Sequence, residues 1–150
     1  MALAVVTGSS TGIGLATSIS LARAGHTVVS TMRNLERSGE IGRIAEPEKL
    51  PIHLAKIDVD DDQSVREGFL IDVLVNNAGV PGGGPVEETL DLFRRVMETN
   101  FFGGLRCIKA VVGACVSGTR GPSSMSLRSL AARQSRRWRV TPRRNGPSRR

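Results

Sequence analysis

An apolar run from Ala2 to Thr7 leads directly into Thr7-Gly8-Ser9-Ser10-Thr11-Gly12-Ile13-Gly14, after which apolar residues return at helical spacing. No other feature constrains the fold as much. A short apolar strand that ends in a Gly-rich turn and opens a helix is the start of a strand–helix–strand unit on a buried parallel sheet. Glycines there allow a tight turn, let backbone approach a pyrophosphate and let the helix pack close to the sheet. The helix N-terminus adds free N–H groups and the positive end of a dipole, both suited to phosphates. Standing alone, such a turn would also fit a plain strand-to-helix connection. The apolar strand before it and the helix after it favour the phosphate-binding reading.

The pattern continues in that order. Leu15, Ile19 and Ala22 share one face of a helix over 14–24, with Gly25 as its stop signal. Thr27 to Thr31 is β-branched and predicts the second strand. A helix is expected over 35–46, ended by Pro47. Ile52 to Ile57 and Val73-Leu74-Val75 predict the third and fourth strands. Only the residues between Asp58 and Asp72 remain for the crossover joining them, close to the minimum of roughly 10–12. Pro85 then opens one long helix, 85–115, with an apolar stripe at Val86, Leu90, Phe93, Met97, Phe101, Leu105, Ile108 and Val112. This alternation predicts an α/β fold with a parallel sheet and right-handed crossovers.

Charge divides the chain. Up to residue 116 it holds eleven Lys and Arg against all fourteen Asp and Glu, a net −3; residues 117–150 hold ten Arg and no acid, a net +10. The overall +7 therefore describes neither part. From Ser117 the apolar periodicity is lost among Arg, Ser, Gly and Pro, a composition that predicts disorder. Two regions follow: a periodic α/β part over 1–116 and a basic tail over 117–150. There is no apolar stretch of membrane-spanning length and no signal-peptide pattern at the start. Cys107 and Cys115, about 12 Å apart on one helix, cannot bridge each other. The chain thus reads as cytoplasmic and reduced, with no metal site expected.

The second chemical signal is Asp72-Val-Leu-Val-Asn76-Asn77-Ala78-Gly79. Ligands of open parallel sheets bind outside the carboxyl ends of the strands, and Asn76 to Gly79 sits at such an end, on the same edge as Gly8 to Gly14. Together with Asp58-Val59 and Thr99-Asn100, these ordered motifs resemble the short-chain dehydrogenase/reductase family over about residues 2–112. The resemblance implies a Rossmann-type doubly wound parallel sheet, here truncated after about four strands, and NAD(P)-dependent hydride transfer between an alcohol and a ketone. It implies that Gly8, Ser10, Thr11, Gly12, Ile13 and Gly14 meet the pyrophosphate and adenosine ribose. Asp58 and Val59 would meet the adenine, and Asn76, Ala78 and Gly79 would line the ribose side. Asn100 matches the family position that organises a proton-relay water.

The end of the second strand bears on cofactor choice. An acidic residue there hydrogen-bonds the ribose 2′-OH of NAD, whereas Arg accommodates the 2′-phosphate of NADP. The run Ser30-Thr31-Met32-Arg33-Asn34 has no carboxylate, so Arg33 favours NADP over NAD.

Members of the family use a Tyr as general acid/base, a Lys four residues later that lowers its pKa, and a Ser that polarises the carbonyl. This sequence has no tyrosine, and its lysines are Lys49, Lys56 and Lys109. Ser123, Ser124 and Ser126 fall near the expected Ser, but Gly121-Pro122 stand where a β-branched strand should precede it. His26 and His53 flank strands and are expected at the surface. The leading reading is a dehydrogenase whose reading frame changes near residues 113–117, leaving cofactor binding without catalysis. A second is a dinucleotide-binding regulator whose basic tail binds nucleic acid; the single aromatic in the tail, Trp138, and the lack of a nucleic-acid-binding motif argue against it. A third is a non-catalytic partner that pairs with another chain, as a homo- or hetero-oligomer, through helix 85–115.

Overall fold

The computed structural model describes residues 1–65, 71–82 and 90–116, with 114–116 described by backbone alone. Pro85, Val86 and the tail from 117 lie outside these residues, as does the second half of the expected helix in the 58–72 crossover.

Four strands form one parallel sheet: β1 (Leu3–Val6), β2 (Thr27–Met32), β3 (Ile52–Lys56) and β4 (Val73–Val75), in the order β3-β2-β1-β4. β1 is central because its side chains are apolar on both faces, and Ala4, Val5 and Val6 are all buried. Alternation along the strands splits the core into two layers. On one face, Val6 and Val28 pack with Ala22 of α1 (Gly12–Arg23). Nearby, Leu15 and Ile19 of the same helix meet Met32 and Ile41 and Ala45 of α2 (Gly39–Glu48). On the other face, Val5, Val29 and Ala55 pack with Leu74. Alongside them Ile57, Val59 and Val65 enclose Cys107 of α5 (Gly104–Val116). Helices thus cover both faces, as a doubly wound sheet requires.

Two helices depart from expectation. The segment after β2 starts as a 3₁₀ turn, Leu35–Ser38, capped by the Asn34 side chain accepting from the Glu36 N–H, before α2 begins. Pro47 does not end α2, which runs to Glu48. Proline there removes only one donor from the final turn; the stop comes from Lys49 in the left-handed region (φ 52°) and the Leu50 N–H donating back to the Ala45 carbonyl at 3.0 Å. A single turn, α3 (Asp62–Val65), starts the tight crossover.

The long helix is described from Leu90 and is not uniform. α4 (Leu90–Met97) passes into a π-helical turn, Glu98–Gly103, before α5. One face, Thr99, Gly103 and Cys107, is buried against the sheet. The opposite stripe of Leu90, Phe93, Met97, Phe101, Leu105, Ile108 and Val112 is exposed throughout, from 41% for Leu105 to 68% for Leu90. No helix among the described residues is long and apolar enough to cross a membrane.

Candidate functional site: a cleft at the switch point of the sheet

From β1 the chain moves outward to β2 and β3, then returns to the other side of β1 as β4. The loops leaving the carboxyl ends of β1 and β4 therefore diverge, and a crevice opens between them. That crevice is a cleft of about 580 Å³, within the usual range for small-molecule sites of roughly 300–1,000 Å³.

Thr7 ties its two walls together. Its hydroxyl accepts from the backbone N–H groups of Asn77 and Ala78, each at 3.0 Å. The Asn77 side chain returns the contact, its Nδ2 donating to the carbonyls of Thr7 and Gly8 at 3.0 Å each. Gly8 has φ +65°, and a Cβ there would lie 2.6 Å from the Ala78 Cα, so glycine is needed for both conformation and space. At Gly14 a Cβ would come within 2.4 Å of Asn77 Nδ2, which keeps the helix start close against the β4 loop.

Of the positions expected to hold a dinucleotide, the structure brings Gly8, Ser10, Thr11, Ile13, Arg33, Val59, Ala78 and Gly79 to the cleft wall. The others are not among its lining residues. Gly12 and Gly14 form the first turn of α1, and Gly14 is buried. Asp58 is turned into its own loop, where its Oδ1 accepts from the Asp60 N–H at 3.1 Å and its N–H donates to Ser64 Oγ at 2.9 Å. Asn76 Nδ2 reaches the Gly104 carbonyl at 3.4 Å. Asn100, in the π turn, makes a two-way bond to Val80: Oδ1 accepts from the Val80 N–H at 2.8 Å and Nδ2 donates to its carbonyl at 3.0 Å.

Seven lining residues were not among those expected: Met32, Asn34, Arg37, Ile57, Asn77, Val80 and Thr99. Arg37 stands on the cleft with Arg33, one turn further along the chain; Asn77 and Thr99 complete the opposite wall. Arg37 was legible as a second base four residues after Arg33, had the 3₁₀ turn been expected. Neither arginine has an ion-pair partner among the described residues, and no carboxylate is among the described lining residues. Thr11 caps α1 without a side-chain hydrogen bond to the helix, and there is no acidic residue in the first turn. The helix N-terminus therefore keeps its partial positive charge for the cleft.

The π turn braces the site from behind. Thr99 Oγ1 donates to Asp60 Oδ2 at 2.9 Å. Arg106 donates to Asp62 Oδ1 at 2.6 Å and to the Val59 carbonyl at 3.3 Å, and pairs with Glu98. The two carboxylates push the Arg106 pKa further up. Glu98 and Arg106 are eight residues apart, which on a regular helix at about 100° per residue would leave them roughly 80° apart. One residue absorbed in a π turn brings them close to one face. Cys107, buried beside this brace, has its thiol pKa pushed up by burial, with the Arg106 charge opposing. His26 and His53 are half-buried, unlike the surface placement expected; His26 Nδ1 accepts from the Ala2 N–H at 3.3 Å.

The sequence profile described as short chain dehydrogenase matches residues 2–135. With this switch-point cleft and that match, the chain belongs to the short-chain dehydrogenase/reductase family. The match runs past residue 112, where the motifs stop, and into the Arg-rich region. Retinol dehydrogenase 8 of Bos taurus is 40% identical over 119 residues, covering 72% of this chain and 38% of that protein. Among solved structures, an actinorhodin polyketide ketoreductase with NADPH aligns with a TM-score of 0.68 at 30% identity, covering 78% of this chain and 49% of the other. A metagenomic short-chain oxidoreductase in complex with NADP aligns with a TM-score of 0.67 at 27% identity, covering 79% and 58%. The chain spans 38% of the length of that retinol dehydrogenase 8 and 42% of an uncharacterized oxidoreductase, YusZ, of Bacillus subtilis.

Proposed function

We propose that residues 1–116 form a binding site for a nicotinamide dinucleotide, NADP(H) in preference to NAD(H), and that these 150 residues hold the cofactor without turning it over. The observation that carries the reading is the cleft's charge: an uncapped helix N-terminus and two arginines, with no carboxylate among the described lining residues. Gly8 to Ile13 would face the pyrophosphate. Arg33 and Arg37 would face a 2′-phosphate, and Val59 the adenine. Two of the structural neighbours are described with NADPH or NADP, which favours the same choice. When bound, the cofactor supplies a hydride donor or acceptor. The family's proton chemistry would need a Tyr that this sequence lacks, and general acid–base catalysis is typically worth about 10²–10⁴-fold. Asn100, held on Val80, keeps its place beside the cleft with no acid to serve.

The test is calorimetric titration of the full chain with NADPH and NADH. Tighter binding of NADPH supports the reading, and equal affinities overturn the preference. The exposed stripe on α4 and α5 supports pairing with a second chain. Size-exclusion chromatography at rising concentration is expected to give a dimer or larger species, and a monomer at every concentration would count against that pairing.

A further inference from the structure

The outer edge of β4 carries no strand among the described residues, and α5, described as far as Val116, packs on the adjacent face. A right-handed crossover returns a parallel strand beside β4, after a connection of about 2–6 residues. In this family an apolar, β-branched strand followed by the site Ser is expected near residues 121–126. The sequence offers Gly121-Pro122-Ser123-Ser124-Met125-Ser126 instead.

We propose that the chain from about residue 117 is translated one base out of register, and that the neighbouring frame of the same bases encodes the missing strand and the Ser, Tyr and Lys that the family site requires. The inference rests on the family assignment. It follows from the genetic code, because an amino acid fixes the first two bases of its codon. A frame built from the third base of one codon and the first two of the next therefore has two known bases everywhere, taking Ser, Leu and Arg in their four-codon boxes.

Across Pro122-Ser123 and Ser123-Ser124 that frame gives Phe, Leu, Ile or Val each time. Across Ser124-Met125 it gives Asn, Asp, His or Tyr, and across Met125-Ser126 it must give Val. This is the apolar pattern of a buried strand, at the positions where the family resemblance expects one. The next two codons, across Ser126-Leu127 and Leu127-Arg128, both come from the set Ser, Thr, Ala and Pro.

Further on, the codon across Val140-Thr141 gives Tyr, His, Asn or Asp. The three codons after it give Ser, Thr, Ala or Pro, and the codon across Arg144-Asn145 gives Lys, Gln, Glu or a stop. Tyr-x-x-x-Lys is thus available with small residues between. Under the same codon boxes it is available nowhere else in that frame, because only Asn145 supplies the two adenines that a Lys codon needs. Under the same boxes the remaining frame admits no Lys codon beyond residue 117.

The experiment is to read the coding DNA from codon 105 to codon 150. The proposal expects the Val140 codon to end in T, the Arg144 codon to end in A, and the Ser126 or Leu127 codon to end in T. In a GC-rich gene, as the Arg, Gly, Ala and Pro content suggests, such endings are minority choices. Any other third base at Val140 or Arg144, or neither T at Ser126 and Leu127, overturns the proposal. Such a failure would leave cofactor binding by residues 1–116 standing, since that is read by titration of the protein.

Discussion

Replacing Thr7 by Val removes one oxygen from the joint between the two cleft walls while keeping the side chain's shape. Thr7 is 2% exposed, and its hydroxyl is the acceptor for the N–H groups of Asn77 and Ala78. Each hydrogen bond has a net worth of about 0.5–1.5 kcal/mol, and a buried donor left without a partner costs about 1–3 kcal/mol. Asn77 and Ala78 are only half-buried, so water relieves part of the penalty, and the expected loss is about 2 kcal/mol. With a urea m-value of roughly 2 kcal/mol/M, the unfolding midpoint falls by about 1 M with the slope unchanged. Thr7→Ser keeps the oxygen and loses one buried methyl, at about 1 kcal/mol. Urea unfolding followed by circular dichroism reads both variants. A serine variant as unstable as the valine one, or a valine variant at the parent midpoint, would refute the role given to the hydroxyl.

Other outcomes follow from the same geometry. Arg33→Ala and Arg37→Ala should each weaken NADPH binding by about tenfold, one charge-assisted contact discounted for exposure, and leave NADH nearly untouched in parallel titrations; equal losses for both cofactors would place the arginines elsewhere. Arg106→Met frees the turn that carries Val59 from α5. Affinity for adenosine 2′,5′-bisphosphate should fall by roughly threefold to tenfold, by the same factor as affinity for NADPH, whereas a greater loss for NADPH would mean general loosening of the cleft. Burial raises the Cys107 pKa, so its thiol should resist iodoacetamide at pH 8 in the folded chain and react on addition of denaturant. Peptide mass spectrometry reads that site separately from Cys115, and rapid labelling of Cys107 in the native chain would contradict its place in the core.

The sheet was legible because its signals are local. The apolar run at 2–7, the β-branched run at 27–31 and the triplet at 73–75 each lie within a residue or two of an observed strand. Leu15, Ile19 and Ala22 are buried as their spacing implied. What escaped depends on neighbours the sequence does not reveal. Pro47 reads as a helix breaker, yet a missing donor matters little in a last turn that Lys49 and Leu50 close. The π turn at 98–103 has no periodic signature; it is supported by Thr99 and Arg106 meeting residues 59–62 and by Arg106 pairing with Glu98. Asn77 looked like one more turn residue beside Asn76, and only the close approach of Gly8 and Gly14 makes it the strut between loops. Arg37 reaches the cleft because Asn34 starts a 3₁₀ turn there.

The central claim is binding of a dinucleotide without turnover. Its most direct measurement titrates the full-length chain with NADPH, follows the quenching or transfer of nicotinamide fluorescence, and then records absorbance at the nicotinamide band after addition of a panel of ketones and aldehydes. Saturable binding with an unchanging nicotinamide absorbance is the expected result. Oxidation of NADPH that requires both the chain and a carbonyl compound would contradict the claim, and so would a chain that folds but leaves NADPH unbound.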